Sequence, residues 1–132
     1  MNGLKAVTDL SVYLSDKVSV KVFKYEKEDN YNDDYVVVNS LPFTWGKPLN
    51  DDNALNVNIH CKDLKNGAAD TKRINELCQE VYALIPTISS VEDDNELIID
   101  GAAYAIENDS NAMKDNDNTH FINFVVKVKF NN

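Results

Sequence analysis

The residues best suited to chemistry in this chain are two cysteines and two histidines, and their spacing argues against a catalytic or metal site. Cys61 follows His60 directly in an alternating stretch, so the two side chains point to opposite faces of a strand and cannot act together locally. His120 can meet His60 across strands on a polar face, but a metal site needs three or four converging ligands. We therefore expect solvated histidines, no metal and no cofactor, and small buried reduced thiols at Cys61 and Cys78.

Acidic side chains cluster between Glu107 and Asn118, where Asp109, Asp115 and Asp117 alternate with asparagines. The run superficially resembles a calcium-binding loop. It lacks the D-x-[DN]-x-[DN]-G spacing with a later glutamate that such a loop requires. We therefore expect an ordinary loop, and the paired aspartates elsewhere are expected to be solvated loop charges rather than acid/base pairs.

The composition excludes further classes of function. The four glycines are scattered, so no phosphate-binding loop is present, and no motif for a nucleophile or a dinucleotide fold is found. The net charge is −9 and the only arginine is Arg73, which disfavours binding to the phosphates of nucleic acid. No set of ionisable groups converges from the pattern, so we expect that the protein is not an enzyme.

The stretch from Ala54 to Pro86 predicts the core of the fold. Its first part, Leu55–Lys62, alternates with period 2, and its second part, Asp70–Ile85, has the spacing of an amphipathic helix with Asp70 as its N-cap. The sheet is therefore covered by a helix on one face and polar on the other. The polar face is a candidate docking surface made of Asn56, Asn58, His60 and Lys62.

The remaining pattern predicts one α+β domain over residues 1–132. It is a mostly antiparallel sheet of about five strands with two helices packed on one face, in the order α-β-β-β-α-β-β. The other predicted elements are a helix at Leu4–Asp16 and strands at Val18–Tyr25, Tyr35–Asn39, Glu96–Asp100, with an extension past Gly101 to Ile106, and Phe121–Phe130.

Two aromatic side chains, Phe43 and Trp45, lie in a stretch that two prolines and a glycine prevent from being a regular central strand. One interpretation is that both rings fill the edge of the domain's own core. The other is that they anchor a neighbouring subunit, because such side chains are enriched at interface cores. The sequence leaves both interpretations open.

The element order, the strand Leu55–Lys62, the helix Asp70–Ile85 with Ala68 and Ala69 before it, and the strand Phe121–Phe130 together resemble the tail terminator, or tail completion, proteins of long-tailed phages. The acidic loop Glu107–Asn118 and the proline-containing stretch Leu41–Pro48 depart from that pattern. The resemblance implies a structural protein of the virion or prophage neck. Its subunits assemble into a ring that ends the tail tube and joins it to the head.

The partners that the resemblance implies are further copies of the chain, the tail tube and the head connector. DNA passes through the lumen of the ring without specific binding. The candidate contact residues are Phe43, Trp45, Asn56, Asn58, His60, Lys62, Asp109, Asp115 and Asp117. Two alternatives remain: another connector or adaptor protein of the neck, and a small acidic module or inhibitor that binds a basic partner.

The expected location follows from two features. The N-terminus lacks the basic region and long apolar core of a signal peptide, and no apolar run approaches the length of a membrane span. We therefore expect assembly in the cytoplasm of a bacterial host, a final place in the virion neck, and no membrane contact.

Overall fold

The computed structural model describes residues 2–40, 53–91, 96–115 and 118–130. Within them lie two helices, α1 (Gly3–Ser15) and α2 (Thr71–Leu84), and the single helical turn α3 (Ile88–Val91). The strands are β1 (Lys21–Lys24), β2 (Tyr35–Ser40), β3 (Ala54–Lys62), β4 (Leu97–Ile99), β5 (Ala102–Asp109), β6 (Met113–Lys114) and β7 (Thr119–Phe130).

Both helices begin at side-chain caps. The Asn2 side chain accepts a hydrogen bond from the Lys5 amide at 2.9 Å, and the Asp70 carboxylate accepts one from the Arg73 amide at 3.1 Å. These oxygens satisfy amides that have no partner inside the helix, as expected of Asn and Asp at an N-cap. The predicted Asp70 cap is therefore confirmed.

The described strands form one mixed, seven-stranded sheet in the order β1-β2-β3-β7-β5-β4, with β6 paired to the start of β7. Strands β1 and β2 are parallel, and the other pairs are antiparallel. The α+β class is confirmed. The prediction of about five strands in the order α-β-β-β-α-β-β matches only roughly, since α3, β5 and β6 were not predicted as separate elements.

The parallel pair arises because the connection after β1 returns to the start of that strand. Its Tyr31 packs edge-on against Phe23 of β1 and Tyr35 of β2, with ring centroids 5.1 and 6.1 Å apart. This aromatic packing holds the crossover without a helix. The predicted strand Val18–Tyr25 was too long, because only Lys21–Lys24 pairs with β2.

The predicted extension from Glu96 to Ile106 is a hairpin rather than one strand. Asp100 and Gly101 have φ angles of 47° and 80°, which reverse the chain in two residues so that Ile99 pairs with Ala102. Positive φ at both positions is the geometry of a type I′ turn, and Asp-Gly is a favoured sequence for it. The dipeptide was the signal that the strand interpretation missed.

The predicted loop Glu107–Asn118 is also partly sheet. Strand β5 continues to Asp109 through a register shift between Ile106 and Asn108, and β6 pairs with β7 through Met113 and Lys114. Composition alone favours a loop here, but pairing to the long central strand β7 satisfies these backbone groups.

The hydrophobic core lies between the two helices and one face of the sheet, as predicted. We call this the inner face and the opposite side the outer face. The core includes Val7, Leu10 and Leu14 of α1, Ile74, Leu77 and Val81 of α2, and Val57, Ile59, Tyr104, Phe124 and Val126 of the sheet. None of the helices in the described residues is long and apolar enough to span a membrane.

Candidate interaction surface

A row of stacked rings crosses the outer face of the sheet. Tyr35, His60 and Phe121 are opposite one another on β2, β3 and β7. The rings of Tyr35 and His60 lie 4.5 Å apart with 7° between their planes, and those of His60 and Phe121 lie 5.1 Å apart at 19°. Met113 of β6 lies directly opposite Phe121 and extends the row with a thioether side chain, so that the row spans four strands. We call these residues, Tyr35, His60, Phe121 and Met113, the aromatic row.

The imidazole of His60 is held between two rings and largely removed from solvent. Its side chain is 12% exposed, and Nδ1 lies 3.3 Å from Oδ2 of Asp115 without hydrogen-bond geometry. Burial lowers the pKa of His60, and the nearby Asp115 carboxylate only partly offsets that effect. His60 is therefore neutral at pH 7, which suits a packed interface residue better than a charged one.

The aromatic row joins a second cluster at the β1 end of the sheet. Phe23, Tyr35 and Val37 are buried there with Tyr31 packed against them. The ammonium of Lys21 lies 5.2 Å from the centre of the Phe23 ring and 5.8 Å from that of Tyr31. The outer face is therefore apolar and aromatic toward β1, where the sequence pattern had indicated only a polar surface.

The four predicted docking residues of β3 all lie on the outer face, but they are less solvated than predicted. Asn56 and Asn58 are half-buried, and Lys62 is exposed at the end of the strand. The Asn56 amide donates to the Asn39 side chain at 2.9 Å, which links β3 to β2. The Asn56 and Asn39 side chains thus hold β3 and β2 together on the outer face.

The two histidines lie on opposite faces, so His60 and His120 do not meet across the strands, a meeting that the sequence had left possible. His120 pairs with Cys61 in the β3–β7 register, whereas His60 pairs with Phe121. Directly opposed residues share a face, and a shift of one residue changes the face. His120 therefore belongs to the inner side, with Cys61.

A charged cluster surrounds His120 at the end of β3. Its Nδ1 lies 2.5 Å from Oδ1 of Asp63, and the Lys114 ammonium donates to Oδ2 of the same carboxylate. The Asp63 side chain is only 3% exposed. Hydrogen bonds from Lys114 and then His120 lower the pKa of Asp63, so the group stays ionised and ties β3 to β6 and β7.

The combination of Cys61, His120 and Asp63 has the residue types of a nucleophilic triad but not its chemistry. Burial raises the pKa of Cys61 to about 12 and that of Cys78 to about 11. A reactive cysteine needs the opposite shift, because the thiolate is the nucleophile. Both cysteines are free and buried, as predicted, and they act as packing residues.

The predicted acidic contact residues are partly engaged within the chain. The Tyr82 hydroxyl of α2 donates to Asp109, and burial followed by this bond raises the pKa of Tyr82 to about 12. Asp115 lies beside His60. Phe43, Trp45 and Asp117 lie outside the described residues, so neither interpretation of the aromatic stretch is tested.

The described residues contain no group of three or more histidine, cysteine or acidic side chains that could hold a metal ion. Sequence reasoning missed the importance of Tyr35, Phe121 and Asp63. Phe121 did fall on the polar side of its strand, and an aromatic residue at such a position was the available signal. No family model matches the sequence, and a search of curated proteins finds no significant match.

Proposed function

We propose that this chain is an assembly protein of a phage or prophage neck, whose copies form a ring that ends the tail tube and joins it to the head. The proposal joins the family resemblance of the sequence pattern to the character of the outer face. The observation that carries it is the aromatic row on a sheet face that neither described helix covers.

The chemistry of the outer face suits a protein contact. Phe121 and Met113 are the more accessible members of the aromatic row. The neutral His60 packs between the buried Tyr35 ring and Phe121 in that row, and Lys62 adds a charge at the margin. Interface cores are enriched in aromatic residues and depleted of charge, with polar groups at the rim. We infer that this face meets the tail tube or the head connector.

The charge of the molecule fits a lumen through which DNA slides. The net charge is −9, and the single arginine, Arg73, is already paired with Asp34 and Glu76 at 3.2 and 3.3 Å. An acidic wall repels the phosphate backbone and offers it no bidentate contact. DNA then passes without being held.

Native mass spectrometry over a range of concentrations tests ring formation, and electron microscopy of polymerising tail tube protein from the same phage tests termination. We expect a closed oligomer and shorter tubes of uniform length when the protein is added. A monomer at every concentration that neither binds nor shortens tubes would contradict the proposal. A monomer that binds a basic protein with steep salt dependence would favour the acidic inhibitor instead.

A matched pair of charge reversals tests whether the contact with the tube or connector lies on the outer face. Lys62 is exposed on the outer face, and Lys65 is exposed in the turn that follows it. Lys62→Glu is expected to weaken tube or connector binding by roughly two- to tenfold, as expected for a rim charge, and Lys65→Glu to leave it unchanged. Equal effects of the two variants would show that the contact lies elsewhere.

A further inference from the structure

The sheet ends in two short strands of opposite charge. Strand β1 stands at one end of the strand order and β4 at the other, and no described strand pairs with their outer edges. They are four and three residues long. Lys21 and Lys24 carry positive charge at the first edge, and Glu96 carries negative charge at the second, where Asp100 is already paired with Lys5 at 2.6 Å. Unpaired edges of this kind offer backbone groups to another chain.

Both edge strands run in the same direction. Strand β2 is parallel to β1, and each later step through β3, β7, β5 and β4 is antiparallel. Four reversals restore the starting direction, so β4 is aligned with β1. A copy rotated about an axis along the strands therefore brings its β1 beside β4 in a parallel arrangement.

The side chains of the two edges match in type, order and spacing. Lys21 and Phe23 lie on the outer face, because they pair with Tyr35 and Val37. Ile98 lies on the same face opposite Ala103, and the alternation places Glu96 there too. Each edge strand thus carries on the outer face a charged residue followed two positions later by an apolar one, of which Ile98 is exposed and Phe23 is 8% exposed. Ile98 is 52% exposed, so its side chain is accessible at the β4 edge.

We infer that β4 of one copy pairs in parallel with β1 of the next, with Glu96 beside Lys21 and Ile98 beside Phe23. The occupant of each edge is therefore a second copy of this chain. Lys21 lies 3.7 Å from Glu28 within its own chain, an exposed and weak contact that leaves the ammonium available to Glu96.

Opposite charge makes this contact selective. Two β1 edges repel each other through their lysines, and two β4 edges repel through Glu96, so only the unlike pair is favoured. A contact between two different surfaces repeats around an axis and closes when the rotation allows it. The edge contact would be the subunit contact of the proposed ring, and only this identification rests on the proposed function. Pairing between copies can be measured without any phage component.

Heterotypic crosslinking tests the register directly. Chains carrying Lys21→Cys and chains carrying Glu96→Cys are mixed under mild oxidation, while the native cysteines stay buried. Opposed residues of paired strands lie within the Cα separation of ~4.4–6.8 Å that a disulfide spans. We expect a dimer that contains one chain of each variant. Glu107→Cys, exposed on β5, replaces Glu96→Cys as the control and is expected to give no such dimer.

Charge reversal supplies a second measurement. Lys21→Glu or Glu96→Lys is expected to raise the concentration for half assembly roughly tenfold, and the chain with both changes to recover it. Lys65→Glu is the control. Assembly that is unaffected by any of these variants, or that yields no heterotypic crosslink, would overturn the edge contact while leaving the neck proposal intact. Edge pairing without any effect on tail tubes would support the contact and contradict the neck proposal.

Discussion

His60 has its chemistry set by the two rings beside it. An imidazole at this point of an alternating strand is indistinguishable in sequence from a solvated one. In the folded chain it stacks between Tyr35 and Phe121, and burial lowers its pKa. At the same scale, Cys61 loses reactivity because burial raises its pKa, and Asp63 keeps its charge because Lys114 and His120 donate to it. Burial decides the pKa of His60 and Cys61, whereas hydrogen bonds decide that of Asp63.

The lowered pKa of His60 predicts a dependence of stability on pH. The unfolded chain binds a proton near the ordinary histidine value of about 6.5, whereas the folded chain resists it. Stability is therefore complete above that value and falls as the pH drops below it, levelling off below the folded pKa. NMR titration should give a His60 midpoint below about 6.5.

The variant His60→Phe retains the stacking and removes the titration. Its Tm should fall less than that of the wild type between pH 7.5 and 5. A His60 midpoint above the ordinary value, or equal Tm changes in both proteins, would contradict the burial of the imidazole. His120→Asn assigns the two histidine signals by removing the other one.

At the scale of elements, tight turns and caps decide where strands and helices end. The Asp100–Gly101 turn makes a hairpin of a stretch that hydrophobicity alone extends through, and so places β4 at the edge of the sheet. The ion pair of Asp100 with Lys5 at 2.6 Å ties the hairpin to the first turn of α1. The orientation of the proposed subunit contact depends on this hairpin.

Substitution at Gly101 tests the turn. Its φ is 80°, and a Cβ there would meet no atom within 4 Å, so the only cost is backbone strain. Gly101→Ala is expected to destabilise the fold by roughly 1–2 kcal/mol, a fall in Tm of about 3–8 °C by thermal denaturation. Gly101→Asn, which tolerates this conformation better, should cost less. Equal costs, or none, would show that the turn is not of this type.

At the scale of the whole molecule, charge and layering set what the protein can meet. One face of the sheet is filled by α1 and α2, and the other carries the aromatic row. The acidic balance of −9 then disfavours nucleic acid as a partner. Both properties agree with the proposed role, in which the protein contacts other proteins and lets DNA pass without binding it.

The charge predicts that the protein does not bind DNA even at low salt. In fluorescence anisotropy with a labelled duplex at about 50 mM salt, we expect no binding at micromolar protein, since non-specific binders neutralise phosphates with Lys and Arg. Micromolar affinity that falls steeply with salt would reveal a basic surface that the net charge conceals, and would contradict the passive lumen.

Much of the fold was predictable because its signals are local. The period of β3, the cap at Asp70 and the apolar stripe of α2 identify a helix-covered sheet before any contact is known. The parallel pairing of β1 and β2 was not predictable, because it depends on Tyr31 packing against strands on both sides of its loop. The aromatic row was equally hidden, since Tyr35 and Phe121 lie far apart in the chain.

By itself, the sequence determined the α+β class, the helix-covered inner face, the buried cysteines and the acidic character. The first three follow from periodicity and caps, which act over a few residues, and the last is a sum over all charged residues. Only the tertiary structure decided the face of His120, the order of the seven described strands and the residues that the two sheet edges carry. Those features depend on register between distant segments, where a shift of one residue moves a side chain to the opposite face.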